Sequence, residues 1–204
     1  MELLHKAKII DRLSGSDDKA LFIDPLLEST QIGQVSIDLR VGSDFLVSVL
    51  TRRSFIGNVR SDNDFRGASS YFRTTRREFG DRFILYPGQV VLSTTLEYVG
   101  LPIDVYADIL SISSYTRLGL HMNTMIQPGF RGCIPLELFN HGNNPVEIVV
   151  GSRICQARLF EISGETTYGD ATQPRKYFGN VRPMNSRAAD DVDIERLERV
   201  KERR

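Results

Sequence analysis

The chain has 204 residues and carries 26 basic and 26 acidic side chains, so its formal charge is zero. That balance argues against a dedicated nucleic-acid binder, which usually shows a basic excess. The length and a 41% hydrophobic content suffice for a well-buried core. Cys133 and Cys155 are too few for a disulfide framework and stand in no zinc-ligand spacing. They read as buried thiols of a reducing compartment. No apolar run approaches the roughly 20 residues of a membrane span. Residues 1–13 hold Lys6, Lys8 and Asp11 among apolar residues, unlike a signal peptide. The expectation is a soluble, cytoplasmic protein with no membrane and no nucleic acid among its partners.

In chain order, Leu3, Leu4, Ala7, Ile10 and Leu13 recur at helical spacing, which predicts a helix over 3–13. Leu21-Phe22-Ile23 before Asp24-Pro25 reads as a short strand closed by a turn. Residues 35–41 alternate apolar with polar and predict a half-buried strand, with another over 45–50. Residues 51–80 differ in character. Seven arginines sit there among Gly, Ser, Asn and Asp with weak periodicity, which predicts an excursion with little regular structure. It is either a solvated loop or a basic flap over an anionic ligand. From 82 onward short strands follow closely: 83–86, 90–92, 96–99, 105–111, 146–150 and 154–162. Pro87-Gly88 and His141-Gly142-Asn143-Asn144-Pro145 supply turns. Residues 190–204 are densely charged, a marginal C-terminal helix or tail. Many short strands with turns between them predict a mainly β chain, an antiparallel barrel or sandwich, over 1–204 as one domain with short terminal helices.

Two clusters carry chemistry. On the strand Ile134-Pro135-Leu136-Glu137-Leu138, alternation puts Ile134, Leu136 and Leu138 on one face. Glu137 then shares the other with Cys133, Pro135 and Phe139. A carboxylate in such company loses hydration, its pKa rises, and it can pass protons between a water and a leaving group. The alternative is a Glu on a wet face, or one paired with Arg117 for structure alone. Ser113, Ser114, Tyr115 and Thr116 offer hydroxyls that can orient a water, and Arg117 can anchor an anion. The alternative there is an N-cap or ordinary turn chemistry. There is no G-x-S-x-G, no P-loop and no H-x-E with P-C-x-x-C, so any deamination would proceed without zinc.

With these residues in place, the chain resembles the dCTP deaminase branch of the dUTPase superfamily. The resemblance rests on Val35-Ser36-Ile37-Asp38-Leu39-Arg40-Val41-Gly42, Leu85-Tyr86-Pro87-Gly88, Thr95-Leu96-Glu97, Ser113-Ser114 with Arg117-Leu118-Gly119-Leu120, Pro128-Gly129-Phe130-Arg131-Gly132 and Gly151-Ser152-Arg153-Ile154-Cys155-Gln156. It implies a distorted β-barrel or jelly-roll-like fold and a homotrimer with shared sites. It implies a deoxynucleoside triphosphate substrate, with Mg2+ carried on the triphosphate and no zinc or other protein-bound metal. It also implies that Glu137 activates a water that attacks C4 of cytosine, that Ser113 positions the water, and that Arg117 organises the site. Ser114, Gln127, Pro135, Gln156, Tyr168, Lys176 and Asn180 would then contact the nucleotide. The implied activity is deamination of dCTP to dUTP, feeding thymidylate synthesis. The alternatives are a dUTP diphosphohydrolase, a bifunctional enzyme, or a non-catalytic nucleotide-binding paralogue. The chain departs from the family pattern at Ile112, where an arginine is usual, at Gln127, where an aspartate is common, and at Asn180, where glutamine is more frequent. The stretch 121–126 is also a few residues shorter.

Overall fold

The structure, a computed structural model, describes residues 1–50, 56, 68–164, 176–188, 193, 196, 197, 199 and 200. Tyr168 and two thirds of the 190–204 tail lie outside the described residues, as does most of 51–67. The elements in chain order are β1 (Glu2–Leu3), α1 (Lys6–Ser14), β2 (Phe22–Asp24), β3 (Ile37–Arg40), β4 (Asp44–Ser48), β5 (Phe72–Arg76), β6 (Arg82–Leu85) and β7 (Val90–Gly100). They continue with β8 (Val105–Ser111), α2 (Ser113–Thr116), β9 (Leu120–His121), β10 (Asn123–Ile126), β11 (Arg131–Asn140), β12 (Val146–Val149) and β13 (Arg153–Glu161).

All strand pairs among the described residues are antiparallel. One sheet runs β1-β13-β8-β10, with β3 sharing the β1 edge of β13. A second runs β5-β4-β7-β11-β9, with β2 sharing the β4 edge of β7. β12 and β6 form a separate two-stranded ribbon. Among the described residues the strands form these antiparallel sheets rather than one continuous hydrogen-bonded barrel, which agrees with the expected distorted, mainly β, antiparallel architecture. The core is nonetheless common to all three layers: Ile37 and Leu39, Phe45 and Val91, and Leu85 and Ile148 are all fully buried in it. Phe45 of β4 stacks on Phe83 of β6 with ring centroids 4.4 Å apart.

Several expectations shift by a few residues, each for a physical reason. The N-terminal helix starts at Lys6, because Glu2–Leu3 is drawn into pairing with Glu161 and Phe160 of β13. The expected breaks at 93–95 do not occur. β7 runs through Ser93-Thr94-Thr95 because its buried hydroxyls find partners: Ser93 donates to the Asp44 carbonyl at 2.9 Å, and Thr95 donates to the Glu97 carbonyl at 2.7 Å. The C-terminal end of the arginine-rich excursion holds one strand that the periodicity did not place. Residues 72–76 pair with β4, from Ser48↔Phe72 to Asp44↔Arg76. Their polar side chains hid the strand because that ribbon is exposed on both faces near its edge.

A fully buried polar group joins the two large sheets. The Glu97 carboxylate accepts the Gln31 side-chain amide at 3.0 Å and the Arg40 backbone N–H at 2.9 Å. Both Glu97 and Gln31 are inaccessible to solvent. Beside Glu97, the Thr95 hydroxyl accepts the Ile134 N–H at 2.9 Å. This occurs where β11 slips register against β7, between Cys133 and Pro135. The bulge leaves the Ile134 amide without a ladder partner, and Thr95 supplies one.

Candidate functional site

Past that bulge, β11 alternates strictly. Ile134, Leu136 and Leu138 are at most 1% exposed and face the core. Pro135, Glu137 and Phe139 point outward, as the alternation predicts. Pro135, Glu137 and Cys133 line a pocket of about 250 Å³. Desolvation by the pocket walls holds the Glu137 carboxyl above the usual glutamate value, although the side chain stays open to solvent at the pocket mouth. Burial likewise pushes up the Cys133 and Cys155 thiols, with the Glu97 charge adding to it. Both cysteines are free and buried, as expected.

The far wall of the pocket comes from the segment 176–188. Tyr177, Asn180, Arg182 and Met184 line it. The segment is held by backbone bonds: Cys133 N–H donates to the Asn180 carbonyl, and Gly179 N–H to the Arg131 carbonyl, both at 2.9 Å. Arg187 ties it to itself by donating to the Lys176 carbonyl at 3.0 Å. The close approach needs Gly132, whose φ is +148°. A Cβ there would meet the Asn180 carbonyl oxygen at 2.8 Å. Gly132→Ala is therefore expected to free the segment. Limited proteolysis within 176–188 should speed up, while the thermal midpoint falls by only about 2–10 °C. An unchanged cleavage rate would show that the segment is held by other contacts.

The other expected site residues sit elsewhere on the chain. Ser113 and Ser114 belong to α2, and Arg117 is its C-cap, its N–H donating to the Ser113 carbonyl at 3.1 Å; all three are exposed, and their side chains make no hydrogen bond or ion pair among the described residues. The serines are not caps, because the N-cap position is Ile112 and no side-chain cap bond forms. Gln156 of β13 lies opposite Leu110, near the end of β8 that leads into α2, so it belongs with the serines. Gln127 does not. It follows Ile126, which pairs with Ala107, whereas Ser113 follows Ser111. At about 3.3 Å per residue, roughly 13 Å of strand lies between those two ends of β8.

Arg117 and Glu137 also diverge. Leu120 pairs with Asn140 in antiparallel sense, and Arg117 precedes the first as Glu137 precedes the second. The strands therefore carry them in opposite directions. Of the expected residues, one pocket brings together Glu137, Pro135 and Asn180. Lys176 stands next to the pocket's Tyr177 without lining it. Phe72, Arg182 and Met184 were not expected. Phe72 was hidden in the polar excursion, and neither of the other two follows any motif.

The fold is an antiparallel β architecture with a lone, partly dehydrated carboxylate on a strand wall, and with hydroxyls and a guanidinium on a second surface. The model of the dCTP deaminase-like family matches residues 3–162. A "dCTP deaminase, dUMP-forming" of Methanothermobacter thermautotrophicus is 37% identical over 87% of this chain and 91% of its own. One from Methanobrevibacter smithii is 33% identical over 88% and 93%. A "dCTP deaminase" of Halorubrum lacusprofundi is 34% identical over 94% of each chain. Among solved structures, the 2'-deoxycytidine 5'-triphosphate deaminase from Agrobacterium tumefaciens has a similar fold, with a TM-score of 0.57 and 24% identity. That match covers 77% of this chain and 46% of the other, so this chain spans about half of that one. The chain belongs to the dCTP deaminase-like family.

Proposed function

We propose that the protein deaminates dCTP hydrolytically, releasing ammonia and dUTP. The observation that carries this reading is the lone carboxylate of β11, held above its usual pKa on the wall of a pocket. In its ionised form Glu137 takes a proton from water as the oxygen attacks C4 of cytosine. Glu137 delivers that proton to N3 of the ring and then transfers the C4 hydroxyl proton to the amino group, which leaves as ammonia while C4 becomes a carbonyl and N3 keeps its hydrogen. Ser113 holds the attacking water, and Arg117 orders the nucleotide around the carboxylate. Ser114, Gln127, Pro135, Gln156, Tyr168, Lys176 and Asn180 contact sugar, base or phosphates. Ammonia release from dCTP, followed by chromatography of the product, tests the activity.

The separation of Glu137 from α2 within one chain favours sites built from two copies, in a homotrimer. Mixing inactive Glu137→Gln with inactive Arg117→Ala, under conditions that exchange subunits, is expected to restore part of the activity. Each mixed trimer would then hold one site with both native residues. No recovery, or sedimentation as a 23.1 kDa monomer, would refute shared sites.

Among the described residues no three His, Cys, Asp or Glu side chains gather to hold a metal ion. In this reading magnesium would arrive on the substrate's phosphates, where it would neutralise charge. Ile112 supplies no guanidinium for them, which removes a charge-assisted bond worth about 1.5–3 kcal/mol. The setting would be the cytoplasm, with the product feeding thymidylate synthesis.

A second reading adds a diphosphohydrolase step that carries the product on to dUMP. It is favoured by the similarity to relatives named dUMP-forming. Gln127, where an aspartate is common, weighs against it. Pyrophosphate appearing in step with ammonia would establish it, and dUTP accumulating without pyrophosphate would exclude it.

A further inference from the structure

The β4–β5 ribbon has two faces, and the Glu137 side uses only one of them. Phe72 lines the Glu137 pocket, and Thr74 faces the groove beside the segment 176–188. Arg73, Thr75 and Arg77 alternate to the opposite face, where they border a cleft of about 330 Å³ against β6 and the turn after it. The register places Arg73 opposite Val47 and Thr75 opposite Phe45. Phe45 and Phe83 stack beneath, and Val49 and Tyr86 form an apolar rim that is 39% and 58% exposed.

The charge of this cleft is one-sided. Its lining holds two guanidiniums and no carboxylate among the described residues. Of the acids nearby in sequence, Asp81 accepts the Glu78 N–H at 2.9 Å within their own turn, Glu147 pairs with Arg82 at 3.3 Å, and Glu78 does not line the cleft. Arg77 donates to the Thr75 hydroxyl and the Arg76 carbonyl, which fixes its direction. The Arg73 guanidinium and the Tyr86 hydroxyl have no partner among the described residues. A preoriented arginine, a second one without a partner and an exposed aromatic over an apolar floor match the two halves of one ligand type.

We propose that this cleft is a second ligand site, taking an organic phosphate whose anionic end sits on Arg73 and Arg77 and whose flat apolar end lies against Tyr86 and Val49. A nucleoside polyphosphate has this form. The assignment stands apart from the deaminase reading, because none of these residues lines the Glu137 pocket.

The test measures binding of ATP and of inorganic tripolyphosphate to the full chain by calorimetry. Wild type is expected to bind both, ATP more tightly, with affinity falling as salt rises. The double variant Arg73→Ala with Arg77→Ala should lose about tenfold or more for both probes. Tyr86→Ala should weaken ATP while leaving tripolyphosphate within about twofold. All three positions face solvent, and thermal midpoints near wild type would confirm that the variants fold. ATP binding unchanged in the double variant would overturn the proposal, since the ligand would then sit elsewhere. So would absence of ATP binding in wild type, or equal loss of both probes in Tyr86→Ala. Ammonia release from dCTP is recorded separately, so failure of this site and failure of the deaminase reading give different results.

Discussion

Glu137→Gln should lower ammonia release from dCTP by about 10²–10⁴-fold while leaving the thermal midpoint within a few degrees of wild type. The side chain stands at the mouth of its pocket, makes no ion pair among the described residues, and is nearly isosteric with glutamine, so the fold has little stake in its charge. In the proposed reaction the chemistry depends on it, because the amide cannot accept the proton of the attacking water. The pH dependence follows from the direction of the shift. Burial holds the carboxyl above the ordinary glutamate value, and the reactive form is the carboxylate. Turnover should therefore fall on the acid side as pH drops through that raised value, at a higher pH than an unperturbed glutamate near 4.3 would give. Equal rates for Glu137→Gln and wild type would remove Glu137 as the base. An acid limb in the ordinary glutamate range would show that the pocket leaves the carboxyl unshifted.

The largest effect on stability is expected at Glu97. Glu97→Leu roughly keeps the volume but strands the Arg40 N–H and one bond of the Gln31 amide. Each stranded donor costs about 1–3 kcal/mol. In a chain of this size that corresponds to a midpoint lower by roughly 5–15 °C. Activity should fall with it, since Thr95, next but one along β7, holds the amide at the β11 bulge three residues before Glu137.

The pH behaviour separates charge from packing. Burial raises the Glu97 carboxyl above its usual value in spite of the bonds it accepts from Arg40 and Gln31. Below the unfolded-state pKa the group is protonated in both states, and its favourable contribution is fully present. As pH rises through the folded pKa, the native state must carry a buried charge, and that contribution is lost. Glu97→Gln has no such titration. Thermal midpoints of the two proteins between about pH 4 and pH 8 should therefore converge, with wild type losing its advantage as pH rises. Parallel curves would sink the argument that Glu97 is dehydrated.

Much of the site-bearing strand was legible before the structure. Alternation of Ile134, Leu136 and Leu138 against Glu137 is a period-two signal, and a lone carboxylate on such a strand is uncommon enough to single out. Ser113 and Ser114 open a short helix directly after β8, and Arg117 caps its end, a placement that alternation alone did not assign. The role of Glu97 was not legible, because an acid within Thr95-Leu96-Glu97-Tyr98 reads as a solvated strand residue. Its bonds from Gln31, 66 positions away, and from the Arg40 N–H, 57 positions away, make burial tolerable. The strand over 72–76 was missed because arginines and threonines leave no apolar period when both faces of a ribbon are open.

Local alternation, turn residues and charge balance thus settled the chain's antiparallel β character and pointed to its acid, because those features depend on neighbours within a few residues. Which residues share a pocket was decided only by the tertiary structure. Strand pairing runs Arg117 and Glu137 in opposite directions, and backbone bonds to β11 bring Asn180 to the acid from more than forty positions away. Contacts of that kind arise from how sheets stack and which carbonyls lack partners, and no local pattern in the chain encodes them.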